Sequence, residues 1–149
     1  MDLFHTPAFG TFALFAAALS VLLLVIDAVG GGVRASTKTT PNEEDARSVA
    51  RGSKLAPQDP EQIARVMRAH RNALANVVPF LIVMLLYVAV GASAKWVLAL
   101  CGVFTAMRLV HAIAYIKAVQ PWRTLSFVVG QACTLIAVVQ VVRVATSFV

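Results

Sequence analysis

The sequence predicts an all-α integral membrane protein, one bundle of four spanning helices. Four apolar runs each reach the length of about 20 residues that crosses a bilayer. Hydrophobic residues make up 59% of the chain against 13% charged, and the mean hydropathy is +0.79, more apolar than the surface of a soluble domain tolerates. Polar residues are confined to one long segment and two short turns. Within 149 residues these elements leave no room for a separate soluble catalytic domain, so any chemistry belongs to the bundle and the whole chain reads as one domain.

The first span covers 8–33 and is interrupted only by Asp27. Asp2 and His5 precede it in place of lysine or arginine, and the apolar run exceeds that of a signal peptide, so a retained span is expected. The Gly30-Gly31-Gly32 run is expected to end it. Asp27 is open to two readings, a residue near the membrane edge or a buried partner for an arginine. Residues 34–60 are rich in Ser, Thr, Pro, Gly and charge and read as a loop. Asp59 is placed as N-cap, and Pro60 as first residue, of the second helix, which extends to residue 91. That helix starts wet, with Arg65, Arg68, His70, Arg71 and Asn72, and ends in the uncharged run 77–90, where Met84 and Tyr87 read as packing. Gly91, Ser93 and Lys95 form a turn before the third span, 96–116. Lys117, Gln120 and Pro121 form the next, before the fourth span, 122–147.

The net charge of +6 comes from 13 Lys+Arg against 7 Asp+Glu, clustered at membrane edges rather than interleaved with aromatics, so no nucleic-acid partner is expected. Arg34, Lys38, Arg47, Arg51, Lys54, Arg65, Arg68 and Arg71 fall on the same side as Lys117 and Arg123, opposite Lys95. The positive-inside rule therefore makes that side cytosolic and places both termini on the other. Cys101 and Cys133 lie in apolar stretches outside any ligand spacing, which predicts neither a disulfide framework nor a metal site. No Gly-x-Ser-x-Gly, P-loop, His-Glu-x-x-His or dinucleotide glycine pattern is present.

The residues able to carry chemistry sit on three helices. At 3.6 residues per turn, Arg68, Arg71, Asn72 and Ala75 share a face, with Arg65 at its margin. Taken alone, such arginines fit snorkelling to headgroups as well as ligand binding. Arg108, His111 and Tyr115 form one stripe of the third span, and an arginine there is costly unless it meets a partner or water, so that stripe is expected to face the interior. Arg123, Thr124, Phe127 and Gln131 continue the pattern on the fourth helix. Arginines suit carboxylates, phosphates or a thiolate, so the expected ligand is a polyanionic small molecule reached from the cytosol.

The run Arg68-Ala69-His70-Arg71-Asn72, followed by Asn76-Val77-Val78-Pro79-Phe80-Leu81, resembles the signature of the membrane-associated proteins in eicosanoid and glutathione metabolism. Asn42-Glu43-Glu44-Asp45, the segment from Arg108 to Tyr115 and the segment from Pro121 to Phe127 extend the resemblance over nearly all of the chain after Arg34. The resemblance implies a homotrimer of four-helix subunits in the endoplasmic reticulum or a bacterial inner membrane. It implies glutathione bound between neighbouring subunits and a lipophilic second substrate entering from the membrane lipids. By matched position, Arg34, Arg68, Arg71, Asn72, His111, Tyr115, Arg123 and Gln131 would line the glutathione site, with Arg34 and Arg71 on its carboxylates. Arg123 is the implied catalytic residue, since a guanidinium beside sulfur favours the nucleophilic thiolate. Thr124 stands where a family member has a serine that hydrogen-bonds the sulfur. The implied activity is glutathione transfer to lipophilic electrophiles, possible peroxidase activity included, with a glutathione-dependent isomerase or synthase and a non-enzymatic lipid-binding member as alternatives. Three positions depart from the family pattern: Ala73 replaces an aspartate, Ala75 a glutamate and Phe127 a tyrosine. Without a carboxylate at Ala75, the ordering of Arg68 and Arg71 is expected to fall to the ligand or to lipid phosphates.

Overall fold

The computed structural model describes residues 3–147. After a 3-10 turn at Leu3–His5 come α1 (Pro7–Thr37), β1 (Thr39–Thr40), α2 (Glu43–Arg47), β2 (Lys54–Leu55), α3 (Glu61–Ala89), α4 (Ala94–Ile116) and α5 (Trp122–Ala145). Four of these helices, α1, α3, α4 and α5, are long and apolar enough to cross a membrane. In the bundle α1 packs on α3 and α4, α4 on α5, and α3 closes the ring against α5.

The first helix overruns its expected end. The glycine run lies inside α1, although each glycine costs a helix about 1 kcal/mol relative to alanine. Packing explains why: Gly30 is buried, and a Cβ there would sit 3.3 Å from Met67 Sδ, so the missing side chain lets α1 approach α3 closely. Thr6 caps the helix start on Phe9 N–H with Pro7 behind it, and Lys38, at φ 50°, ends it. The 31 residues of α1 span roughly 46 Å at about 1.5 Å each, longer than the apolar core of a bilayer, so the Arg34 end projects into the polar region.

The segment after α1 is not wholly a loop. It holds α2, with Glu43, Glu44 and Asp45 in the first turn where the helix dipole favours acid, and a two-residue parallel pairing of β1 with β2. The expected cap of α3 is also corrected. Pro60 occupies the N-cap without a side-chain bond, while the Asp59 carboxylate takes both Arg34 Nη1 (2.8 Å) and Nη2 (3.0 Å). A bidentate charge-assisted pair outcompetes a single bond to a backbone N–H.

Phe80 of α3 and Phe104 of α4 stack at the centre, centroids 3.6 Å apart and 4° from parallel. Leu19, Val77, Met84, Val97, Cys101 and Ala137 complete a dry core around them, and Tyr87 is buried beside it. The two cysteines are buried and free. Asp27 is exposed on α1 and pairs with no arginine among the described residues, which removes the buried-partner reading. Leucines and valines such as Leu14, Leu24, Leu135 and Val139 point outward, as lipid requires.

The α4–α5 seam is closely packed at Gly130. A Cβ on Gly130 would lie 2.5 Å from Arg108 Nη2 and 3.1 Å from its Cζ and Nε. The guanidinium has little room to yield, since Phe104 and Phe127 flank it at 5.3 and 5.8 Å. Gly130→Ala is expected to destabilise the protein by about 1–2 kcal/mol despite alanine's better helix propensity. Thermal unfolding in detergent checks this, and an unchanged or raised midpoint contradicts it.

Candidate functional site

The five-residue connection 117–121 turns α5 back along α4, so the last two turns of α4 face the first turn of α5. His111 Nδ1 lies 2.9 Å from the carbonyl oxygen of Arg123 and 3.4 Å from Ser126 Oγ. A carbonyl only accepts, which assigns the proton to Nδ1 and leaves Nε2 of the neutral ring as an acceptor. That Nε2 is buried and has no partner among the described residues. The Tyr115 and Phe127 rings flank the imidazole, their centroids 5.7 and 6.0 Å away.

Arg123 places its guanidinium over the Tyr115 ring, 5.1 Å from the centroid. The Gln120 amide, oriented to match its neighbours, accepts from Arg123 Nη2 (2.9 Å) and Nε (3.2 Å) and donates to Thr124 Oγ1 (3.1 Å). From α3 comes Asn72, whose Oδ1 is buried and also unpartnered, while its backbone carbonyl accepts from Asn76 Nδ2 at 2.7 Å. Asn72, His111, Tyr115, Arg123, Thr124 and Phe127 together line an open cleft of about 250 Å³. It offers a cation and a hydroxyl beside two buried acceptors. A ligand that satisfies all of them carries negative charge together with N–H donors.

The other expected site residues lie elsewhere on the single chain. Arg34 is held by Asp59 and lines a separate polar pocket of about 600 Å³ formed with the segment from Lys38 to Ser53. Arg68 donates to Glu61 Oε1 at 2.7 Å, and Arg65 reaches the same oxygen at 3.2 Å. Glu61 therefore orders Arg68, one of the two arginines whose ordering the sequence left to a ligand, together with Arg65. Arg71 is exposed and faces away from the cleft, over an apolar groove of about 450 Å³ with Leu74, Ala75, Val78 and Pro79. Gln131 is exposed on α5, two turns beyond Arg123. On the single chain the bundle splits the polar face of α3: Asn72 turns inward and Arg71 outward.

Arg108 is buried to 2% exposure and donates only long bonds, to the carbonyls of Ser126 (3.5 Å) and Phe127 (3.4 Å). Its Nε and Nη1, and Thr105 Oγ1 one turn earlier, have no partner among the described residues. Of the family departures, Ala73 lies in an apolar cluster with Ile26, Val66 and Ala112, where an aspartate would be buried among aliphatic side chains.

Gln120 and Ser126 were not singled out by sequence. Gln120 precedes Arg123 and Thr124 by three and four residues, the spacing of neighbours on a helix, and that was the available signal. Ser126 has no such signal, since its role depends on His111 from another helix.

A sequence model of the MAPEG family matches residues 12–143. The chain belongs to the MAPEG family. It is 32% identical over 137 residues to microsomal glutathione S-transferase 1 of Sus scrofa, covering 90% of this chain and 88% of that protein. The protein of the same name from Mus musculus is 38% identical over 105 residues, 68% of each chain. Prostaglandin E synthase of Bos taurus is 30% identical over 132 residues, 88% of this chain and 85% of that one. Four membrane-length helices and this family membership make the chain an integral, multi-pass membrane protein.

The His111 bond to the Arg123 carbonyl ties the two helices at the cleft. His111→Ala is expected to cost about 2–3 kcal/mol through the void and the lost hydrogen bond. Chemical denaturation in mixed micelles reads this directly, and a loss below about 1 kcal/mol would show that the tie contributes little.

Proposed function

We propose that this MAPEG protein is a membrane-bound glutathione transferase that adds the glutathione thiolate to lipophilic electrophiles. The observation that carries the reading is the cleft itself, where an oriented guanidinium and a hydroxyl lie beside two unpartnered acceptors. Glutathione brings a thiol, two carboxylates, an ammonium and amide N–H groups. Its N–H donors match Asn72 Oδ1 and His111 Nε2, and its sulfur matches Arg123 and Thr124. The names of the transferase relatives support the same ligand. The apolar outer faces of α4 and α5 leave the lipid as the route for a hydrophobic second substrate, and the positive-inside rule supports a cleft at the cytosolic edge. The similarity to prostaglandin E synthase favours a second reading, a glutathione-dependent isomerase of one oxidised lipid, which a narrow substrate profile would distinguish.

In this reading the thiolate is made by electrostatics. A cation beside sulfur lowers the thiol's pKa, so losing it returns the bound thiol toward about 8.5 and slows attack at neutral pH. Arg123→Ala is expected to lose about 10²–10³ in conjugation rate while binding glutathione within about tenfold of the parent. Turnover at the parent rate, with thiolate absorbance still forming, would remove Arg123 from the mechanism.

The site is completed by a second copy of the chain. A cleft of about 250 Å³ falls below the roughly 300–1,000 Å³ usual for a small-molecule pocket. Arg34, Arg71 and Gln131 face away from it on the same chain, on surfaces that a closed trimer would turn toward neighbouring clefts. Sedimentation in mild detergent is expected to give three chains per particle. A monodisperse monomer that binds glutathione at full affinity would refute the shared site.

A further inference from the structure

Gln120 lies outside α5, one residue before its Pro121 cap, and is largely exposed. A glutamine there has no packing role, yet its amide touches both residues that the transferase reading places at the sulfur. Its oxygen accepts from Nη2 and Nε of Arg123, and its nitrogen lies 3.1 Å from Thr124 Oγ1. We propose that Gln120 is a positioning residue, holding the Arg123 guanidinium in the cleft and turning the Thr124 hydroxyl proton toward the ligand. The proposal rests on the transferase reading and adds to it the group that orients the two residues at the sulfur.

The argument follows from donor and acceptor counts. A guanidinium has five N–H groups and no acceptor. Gln120 engages one on Nε and one on Nη2, so three remain, two of them forming the Nη1–Nη2 edge. The Tyr115 ring under the guanidinium and the His111 bond to the Arg123 carbonyl fix the plane in which that edge lies. Without the amide, a half-buried arginine would regain rotamer freedom and reach for headgroups or water.

Thr124 differs from most of the hydroxyls on these helices. Thr11, Ser20, Thr134 and Thr146 all donate to the carbonyl four residues back, the usual resting bond of a helical hydroxyl. Among the described residues Thr124 makes no such bond, and its partner is Gln120. An amide N–H donating to Oγ1 occupies a lone pair and leaves the hydroxyl's own proton to be donated elsewhere. The neighbouring cleft is where a thiolate would receive it. A neutral amide suits this task better than a carboxylate would, because it restrains the guanidinium without cancelling its charge.

The test compares the parent with Gln120→Ala and Gln120→Glu, following thiolate absorbance of bound glutathione against pH, and kcat and KM with an activated aryl halide. Gln120→Ala is expected to raise the half-point of thiolate formation by about one pH unit and to lower kcat about tenfold at neutral pH. KM for glutathione is expected to change less than about threefold, because the groups facing the rest of the ligand remain. Gln120→Glu has the same shape and still accepts from Arg123, but it offers Thr124 no N–H and offsets the cation, so it is expected to lose as much thiolate as the alanine variant. A parent-like half-point and kcat in either variant overturns the proposal. A parent protein that forms no thiolate instead overturns the transferase reading and this proposal with it, so the two failures are distinct.

Discussion

A charged side chain at membrane depth has to be enclosed by protein, and Arg108 places that demand on the whole bundle. It is 2% exposed, meets no carboxylate among the described residues, and is surrounded instead by Phe104, Phe127 and the carbonyls of Ser126 and Phe127. These groups surround it only if α5 lies against α4 at one register, with the Cβ-free Gly130 opposite the guanidinium. The same register delivers the Arg123 carbonyl to His111 one turn further along. The packing of an interior cation thus sets the geometry of the cleft at the membrane edge.

Charge is allotted unevenly between the arginines. Asp59 holds Arg34, and Glu61 holds both Arg65 and Arg68, so three of the basic residues near the polar end of the bundle are already paired. Such solvent-exposed pairs add little to stability, and their main effect is to neutralise charge at these positions. Arg123 is restrained by a neutral amide and an aromatic ring and keeps its full charge for the cleft. Arg71, with no ion pair among the described residues, presents its charge on the outer face of α3 instead.

The family departures fit this arrangement. Ala73 sits where a carboxylate would be buried among Ile26, Val66 and Ala112 without a donor, a costly position, so alanine belongs to the local packing of α1, α3 and α4. Ala75 lies beside Arg71 along an apolar groove rather than in the cleft. Glu61, two turns before Arg68 on the same helix, supplies the carboxylate that Ala75 does not. Phe127 contributes a ring to both Arg108 and His111, a role in which a phenolic hydroxyl takes no part.

Composition and periodicity by themselves determined the membrane class, the four spans and the inward turn of Arg108 and His111, because solvation in lipid tolerates few exceptions along each helix. The residue order around Arg71, His111 and Arg123 was enough for the family. Helix ends were less legible: the glycine run predicts a stop, yet α1, with Gly30 packed on Met67, continues past the run to Thr37. Whether Asn72 or Arg71 turned inward, which carboxylate each arginine met, and that Gln120 and Ser126 belong to the cleft were decided by tertiary structure alone. Those outcomes depend on how helices rotate and slide against one another, and a one-dimensional pattern specifies a helix's faces without specifying what stands opposite them.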